Sequence, residues 1–243
     1  MFPVHLLRDR TQILLYVVTA AGTTAVFIII YYLPIYFQFV NGDGPVTAAI
    51  RLLPFVAVAV TFNISAGSFL HLIKFYSVIY IVGGAFLVAG GGPLVVFLDP
   101  DSSTSLIYGL TVLIAVGGGL TMTTSYTVAT TTAQDPGAGI SLQNVAQIGG
   151  QVIALAIAGQ IFQSLSVKNL SDTLAGRGFS DSEIRGAIAG AQSMLFMQLT
   201  GELRDQAIRA ITHAMQKTMI LVPIAGGIMI LAGLGMKRER IVV

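Results

Sequence analysis

A chain of 243 residues with 54% apolar and only 10% charged residues has too little polar surface to cover a water-soluble globule, in which about a quarter of residues are charged. Its formal charge of +2 is too small to point to nucleic acid, and the absence of cysteine excludes disulfides, thiolate metal sites and a cysteine nucleophile. The composition is that of an integral membrane protein. With no Trp, the interfacial aromatics are Tyr16, Tyr31, Tyr32, Tyr36, Tyr76, Tyr80 and Tyr108.

The apolar run after Arg8 and Arg10 is longer than the core of a secretory signal, and no small-residue cleavage site precedes a soluble domain. It reads as the first of six predicted transmembrane helices, at 13–39, and it ends in "YYLPIYFQFV". Pro34 removes a backbone bond there and predicts a kink between Tyr31–Tyr32 and Tyr36–Gln38. The second span, 47–70, follows the turn "NGDGP". Spans at 75–98, 105–131, 139–163 and 218–236 complete an all-α six-helix membrane domain covering residues 1–243.

Only the connection 164–217 is long, and its pattern is helical. Ser180 and Glu183 stand at capping-box spacing, and Ile184, Ile188, Ala191, Leu195 and Leu199 then recur every three or four residues. Leu203, Ala207, Ile211 and Met215 repeat the pattern. Both stretches are too polar to span and are expected to lie in the interface or cap the bundle.

Arg8, Arg10, Lys74, Lys237, Arg238 and Arg240 gather on one side, which predicts cytoplasmic termini and a long loop outside the membrane. That loop holds the sequon Asn169–Ser171, a glycosylation candidate at Asn169, whereas a second sequon at Asn63 lies within a span.

The spans contain no Asp or Glu, the usual proton carriers in a membrane, and Arg51 is the only charged residue within them. No Ser–His–Asp set, zinc helix motif or phosphate loop is present. His5, His71 and His213 are scattered, so neither an enzyme activity, a cofactor nor a metal is expected. Gly117, Gly118 and Gly119 favour close helix packing, and Thr121, Thr124, Ser125 and Thr127 can bond to their own helix's carbonyls.

"GISLQNVAQIGGQVIALAIAG" is a different matter. An unpaired amide in hydrocarbon costs a few kcal/mol. At 100° per residue, Asn144, Gln147 and Gln151 fall within an arc of about 60°, with Gln143 at its edge. They serve either as the lining of an aqueous or ligand-holding cavity or as hydrogen-bonded glue between helices. Tyr32 and Gln38 at the Pro34 bend suit an amphipathic organic molecule, or else form part of an interfacial tyrosine belt.

"FPVHLLRDRTQ" followed by "YYLPIYFQFVNGDGPVTAAIRLLP" resembles the start of the C-terminal half of fungal major facilitator superfamily transporters, in the branch of fourteen-helix drug:proton antiporters and toxin efflux pumps. "GGAFLVAGGGPLVVFLD", "IYGLTVLIAVGGGLTMTTSYTVATTT" and "GAGISLQNVAQIGGQVIALAIAGQIFQS" follow in the order of that half. The resemblance implies two six-helix halves that rock about a substrate held between them at mid-membrane. It also implies export of a drug, toxin or secondary metabolite through the plasma membrane in exchange for protons. This chain matches the second half only, and "SAGSFLHLIKF" replaces a loop motif without its acidic residue. The implied substrate contacts are Tyr32, Gln38, Asn144, Gln147 and Gln151, and the implied partner is a second six-helix half or another copy of the chain. The alternative is a truncated, non-transporting membrane protein or helix-binding subunit.

Overall fold

A computed structural model describes residues 6, 8–73, 75–188 and 193–236. Among these, every regular element is a helix, and six helical segments are long and apolar enough to cross a membrane. His5, Lys74, Ala191, Lys237, Arg238 and Arg240 lie outside the described residues, as does the side chain of His71.

The turns carry their own caps. α1 (Arg10–Asn41) starts at Asp9, whose carboxylate accepts from the Thr11 N–H, and ends at Gly42 in the left-handed region at φ 68°. The helix continues through Pro34. "NGDGP" then opens α2 (Pro45–Ile50) with proline in the first turn. The second span is not one helix. A turn at Arg51–Leu52 separates α2 from α3 (Leu53–Ile73). Pro54 supplies the reason, since it donates no N–H and its ring would clash with the Ile50 carbonyl in a continuous helix. At this break Arg51 pairs with Asp43 and lies over the Phe37 ring at 5.0 Å, so the one cation within the expected spans is satisfied locally.

α4 (Tyr76–Phe97) and α5 (Thr104–Thr132) are joined by "DPDSST", whose Ser103 hydroxyl accepts from the Leu106 N–H. α6 (Pro136–Thr173) begins at an Asp135–Pro136 cap. It runs ten residues past the expected end of its span, because loss of hydropathy marks the exit from an apolar medium and not the end of a hydrogen-bonded helix. α7 (Asp181–Ile188) and α8 (Met194–Gln198) follow. α9 (Gly201–Met219) meets α10 (Leu221–Gly235) at Ile220, which keeps helical dihedrals of −59° and −24°. The long connection of the sequence reading is thus largely two extensions of membrane helices. Ala207, Ile211, Ala214 and Met215 of α9 are buried, and α9 packs on α6, α1 and α4 as a cap on the bundle.

α5 is the hub. It touches α1, α3, α4 and α6. Successive residues on a helix point 100° apart, so its three consecutive glycines meet three different neighbours. A methyl on Gly117 would lie 2.5 Å from the Gly83 carbonyl of α4. One on Gly118 would lie 2.3 Å from a Val26 methyl of α1, and one on Gly119 would lie 2.5 Å from the Ala59 carbonyl of α3. The hydroxyls of Thr121, Thr124, Ser125 and Thr127 donate to carbonyls three or four residues back on α5 itself. The spans containing α3 and α6 are 11% and 22% buried against 61% for α5, so these two helices carry the exposed apolar flanks.

Gly119→Ala drives a side chain into backbone and is expected to destabilise the bundle by about 1–3 kcal/mol. Gly149→Ala meets nothing within 4 Å and is expected to be neutral or slightly stabilising. Thermal unfolding of both variants in detergent checks the contrast.

The Ser180–Glu183 box is closed in both directions. The Ser180 N–H donates to Glu183 Oε2 at 2.7 Å, and the Glu183 N–H reaches Ser180 Oγ at 3.4 Å. The Ser180 backbone N–H, followed by its hydroxyl, holds the exposed Glu183 carboxyl below its ordinary pKa. A depressed folded-state pKa contributes to stability above the unfolded value and loses that contribution as pH falls through the folded one. A spin label at Gly186→Cys, where a side chain meets open space, should therefore gain mobility as pH falls through and below the ordinary glutamate range. The change should be absent in a Glu183→Gln background.

Candidate functional site

Residues four apart on α6 form parallel rows. Ala146, Ala154, Ala158, Phe162, Ser166 and Leu170 are the buried row, most of it against the rest of the bundle. Beside it runs a second row of Gln143, Gln147, Gln151, Leu155, Gly159 and Gln163. That row is buried at Gln143, half-buried from Gln147 to Gly159 and exposed at Gln163. Asn144 stands on the exposed row outside it.

The amides divide between the two roles the sequence left open. Gln143 is interhelical glue, because its Oε1 accepts from the Thr19 hydroxyl of α1 at 2.5 Å. Its Nε2 is buried without a partner among the described residues. Asn144 and Gln147 converge on Tyr126 of α5, whose Oη lies 2.8 Å from the Asn144 carbonyl oxygen and 2.6 Å from that of Gln147. A phenol has one proton, so it is shared between the two amide oxygens or donated to either, and an amide that turned its NH₂ inward would instead donate to the phenol oxygen. One turn further along, Gln151 Oε1 is buried with no partner among the described residues. An unpaired amide oxygen at that depth is an acceptor held ready for a donor.

The end of the bundle that carries α7, which is the outer end on the topology expected from the sequence, holds a cavity of about 610 Å³ between α1, α6 and α7, called the outer cavity below. Tyr31, Gln38, Gln160, Gln163 and Arg185 give it polar groups. Tyr32 is buried in its wall, edge-on to Tyr31 at 5.0 Å and to Phe162 at 5.5 Å between ring centroids.

The five expected substrate contacts therefore form two pairs and leave Gln151 by itself. Tyr32 and Gln38 share the outer cavity, while Asn144 and Gln147 share Tyr126. Gln147 precedes Gln163 by four helical steps of the same row, about 24 Å along the axis. Sequence reasoning missed Tyr126, Gln160, Gln163 and Arg185. Gln163 was findable as the continuation of the Gln143–Gln147–Gln151 spacing and Gln160 as that of the exposed row of Asn144, whereas Arg185 sits on a polar helix and its place beside the cavity is a tertiary fact.

Gln12 of α1 was also missed. It is fully buried and donates to Thr132 Oγ1 at 2.9 Å and to the Ala129 carbonyl at 3.3 Å, closing the inner end of the α1–α5 contact. Asn63 accepts from Thr123 at 2.8 Å, within the α3–α5 contact. Asn169, the glycosylation candidate, lies on the extended part of α6, and its Nδ2 donates to the Ala210 carbonyl of α9 at 3.0 Å. That nitrogen is the atom a glycan would take, so a glycan there requires modification before α6 and α9 pack.

No family model matches the chain. Curated relatives do. The chain is 35% identical over 234 residues to the efflux pump patC of Aspergillus clavatus, a match covering 96% of this chain and 42% of that one. It is 34% identical over 245 residues to the MFS-type transporter patC of Penicillium expansum, covering 99% of this chain and 44% of the relative. A phomenoic acid biosynthesis cluster MFS-type transporter of Leptosphaeria maculans is 32% identical over 260 residues, covering 99% and 41%. The chain thus spans less than half the length of the curated relatives it matches. Its order of six apolar spans and its end-to-end similarity to fungal MFS-type efflux transporters place it in the major facilitator superfamily.

Proposed function

We propose that the chain is the C-terminal half of a fungal efflux pump that exports amphipathic organic molecules, such as drugs, toxins or secondary metabolites, by proton antiport. The observation that carries this reading is the cluster of Tyr126, Asn144 and Gln147, with the open acceptor of Gln151 one turn away, which gathers four polar side chains of α5 and α6 inside the spans. Neutral donors and acceptors that can exchange partners suit a solute that must bind and leave. The relatives named as efflux pumps support the direction of transport.

The spans offer no carboxylate, so coupling to protons falls to a second six-helix half, whether in the same polypeptide or in another one. The sparse burial of the α3 and α6 spans supports a surface for that partner, and a second copy of the chain could serve in its place. The same exposure is what favours the alternative of a helix-binding subunit without transport.

Gln147→Leu is expected to lower substrate export at least several-fold when the chain is co-expressed with the N-terminal half of a relative in an export-deficient yeast. Interhelical membrane hydrogen bonds average only about 0.6 kcal/mol, so the folded fraction should hold. Unchanged export together with a large loss of thermal stability would assign the cluster to packing. Reconstituted alone in liposomes, the chain should carry no uphill, proton-driven flux.

We further propose that both termini are cytoplasmic and that α7–α9 face the outside of a plasma membrane. The cysteine-free sequence makes the test direct. A membrane-impermeant maleimide added to intact cells should label Ser182→Cys, while Gln134→Cys in the α5–α6 turn should react only after permeabilisation. The reverse pattern would invert the topology.

A further inference from the structure

The outer cavity has a charge that neither packing nor the transport reading uses. Arg185, exposed on α7, lines it, and among the described residues no carboxylate lies within ion-pair distance of the guanidinium. The other exposed loop arginine that faces the bundle is paired, Arg209 to Asp99 and Asp101. No Asp or Glu lines the cavity, so Arg185 is the one charged side chain among its lining residues. The amides of Gln38, Gln160 and Gln163 ring the same space. The Tyr31 ring is 54% exposed and edge-on to buried Tyr32, which offers a face for stacking beside an apolar wall. A volume of about 610 Å³ is in the range that encloses small organic ligands, about 300–1,000 Å³.

From this juxtaposition we infer that the outer cavity is a binding site for an amphipathic organic acid, with Arg185 holding the carboxylate, Gln160 and Gln163 donating hydrogen bonds and Tyr31 stacking on the apolar body. A planar guanidinium is matched to a carboxylate through two parallel N–H donations. A neutral or cationic solute of the same shape leaves the guanidinium unpaired and is bound more weakly. A lipid phosphate shares the charge and would accept from the amides but would leave the aromatic face unused. The site deepens the efflux reading, since an outer station that favours acids selects what the pump releases. The site's existence is nevertheless independent of transport, and binding to the isolated chain tests it without any gradient.

The test uses the full chain in nanodiscs of phosphatidylcholine, with 2-naphthoate as probe and 2-naphthamide as its neutral counterpart, followed by calorimetry. Naphthoate is expected to bind more tightly than the amide. Arg185→Gln should weaken naphthoate about tenfold, the lower range for a hydrogen bond to a charged group, and leave the amide unchanged. Arg185→Lys should retain part of the preference, and Tyr31→Ala should weaken both probes. Equal naphthoate affinity in the wild type and Arg185→Gln would overturn the assignment. So would naphthoate affinity that is lost in phosphatidylglycerol discs only while Arg185 is present, since that result gives the site to a lipid headgroup. Absence of export by a protein that passes the binding test would count against the transport reading alone.

Discussion

Everything in this bundle depends on how closely three helices approach α5, and that distance is set by three hydrogens. Gly117, Gly118 and Gly119 face α4, α1 and α3 in turn, each where a methyl group would overlap a neighbour. Lipid tails are as apolar as leucine, so no hydrophobic force drives helices together inside a membrane, and dispersion at short range must do it. Three successive glycines bring three helices onto one point of α5. The close approach then places Tyr80 3.2 Å from Ser125 and Thr123 2.8 Å from Asn63.

The same constraint explains why polar groups inside the spans are tolerated. Threonine and serine hydroxyls on α5 return to their own backbone, and Gln12 and Gln143 tie α1 to α5 and α6. These pairings leave few groups open. Among the described residues the open buried atoms are spread over the bundle, at Gln12 of α1, Thr212 of α9 and Ser166 of α6 as well as at Gln143 and Gln151. What sets α6 apart is that two of them stand on the one row that leads on to Gln163 in the outer cavity.

Hydropathy was enough to find the spans, because a run of apolar residues of membrane length has few other uses. It did not find helix ends. The polar "SVKNLSDT" continues α6, and α9 enters the bundle without a break, since helical hydrogen bonds are indifferent to the surrounding medium. The division of the second span was legible in Pro54 and was passed over in favour of its uniform hydropathy. Local patterns also carried the capping box at Ser180 and the separate character of Gln143. The outer cavity was not legible, because it joins Tyr31, Gln160 and Arg185 from three helices far apart in sequence. The phenol–amide cluster was half legible: the amides show a periodicity, but nothing local marks Tyr126 as their partner.

The join of α9 to α10 has a mechanical consequence. Ile220 keeps helical dihedrals although Pro223 removes one backbone donor beside it, so Gly201–Gly235 keeps one course over 35 residues, about 52 Å. Its lower part is clamped between α4 and α1, and its upper part carries Arg209, which holds Asp99 and Asp101 in the α4–α5 turn. A rod of this length converts angle into distance. A tilt of about 5° about Gly235 moves Arg209, about 39 Å away along the axis, by about 3.4 Å, enough to separate both ion pairs. Those pairs are exposed and of the kind worth about 0–1 kcal/mol, so they act as a weak detent that resists small tilts and releases at large ones.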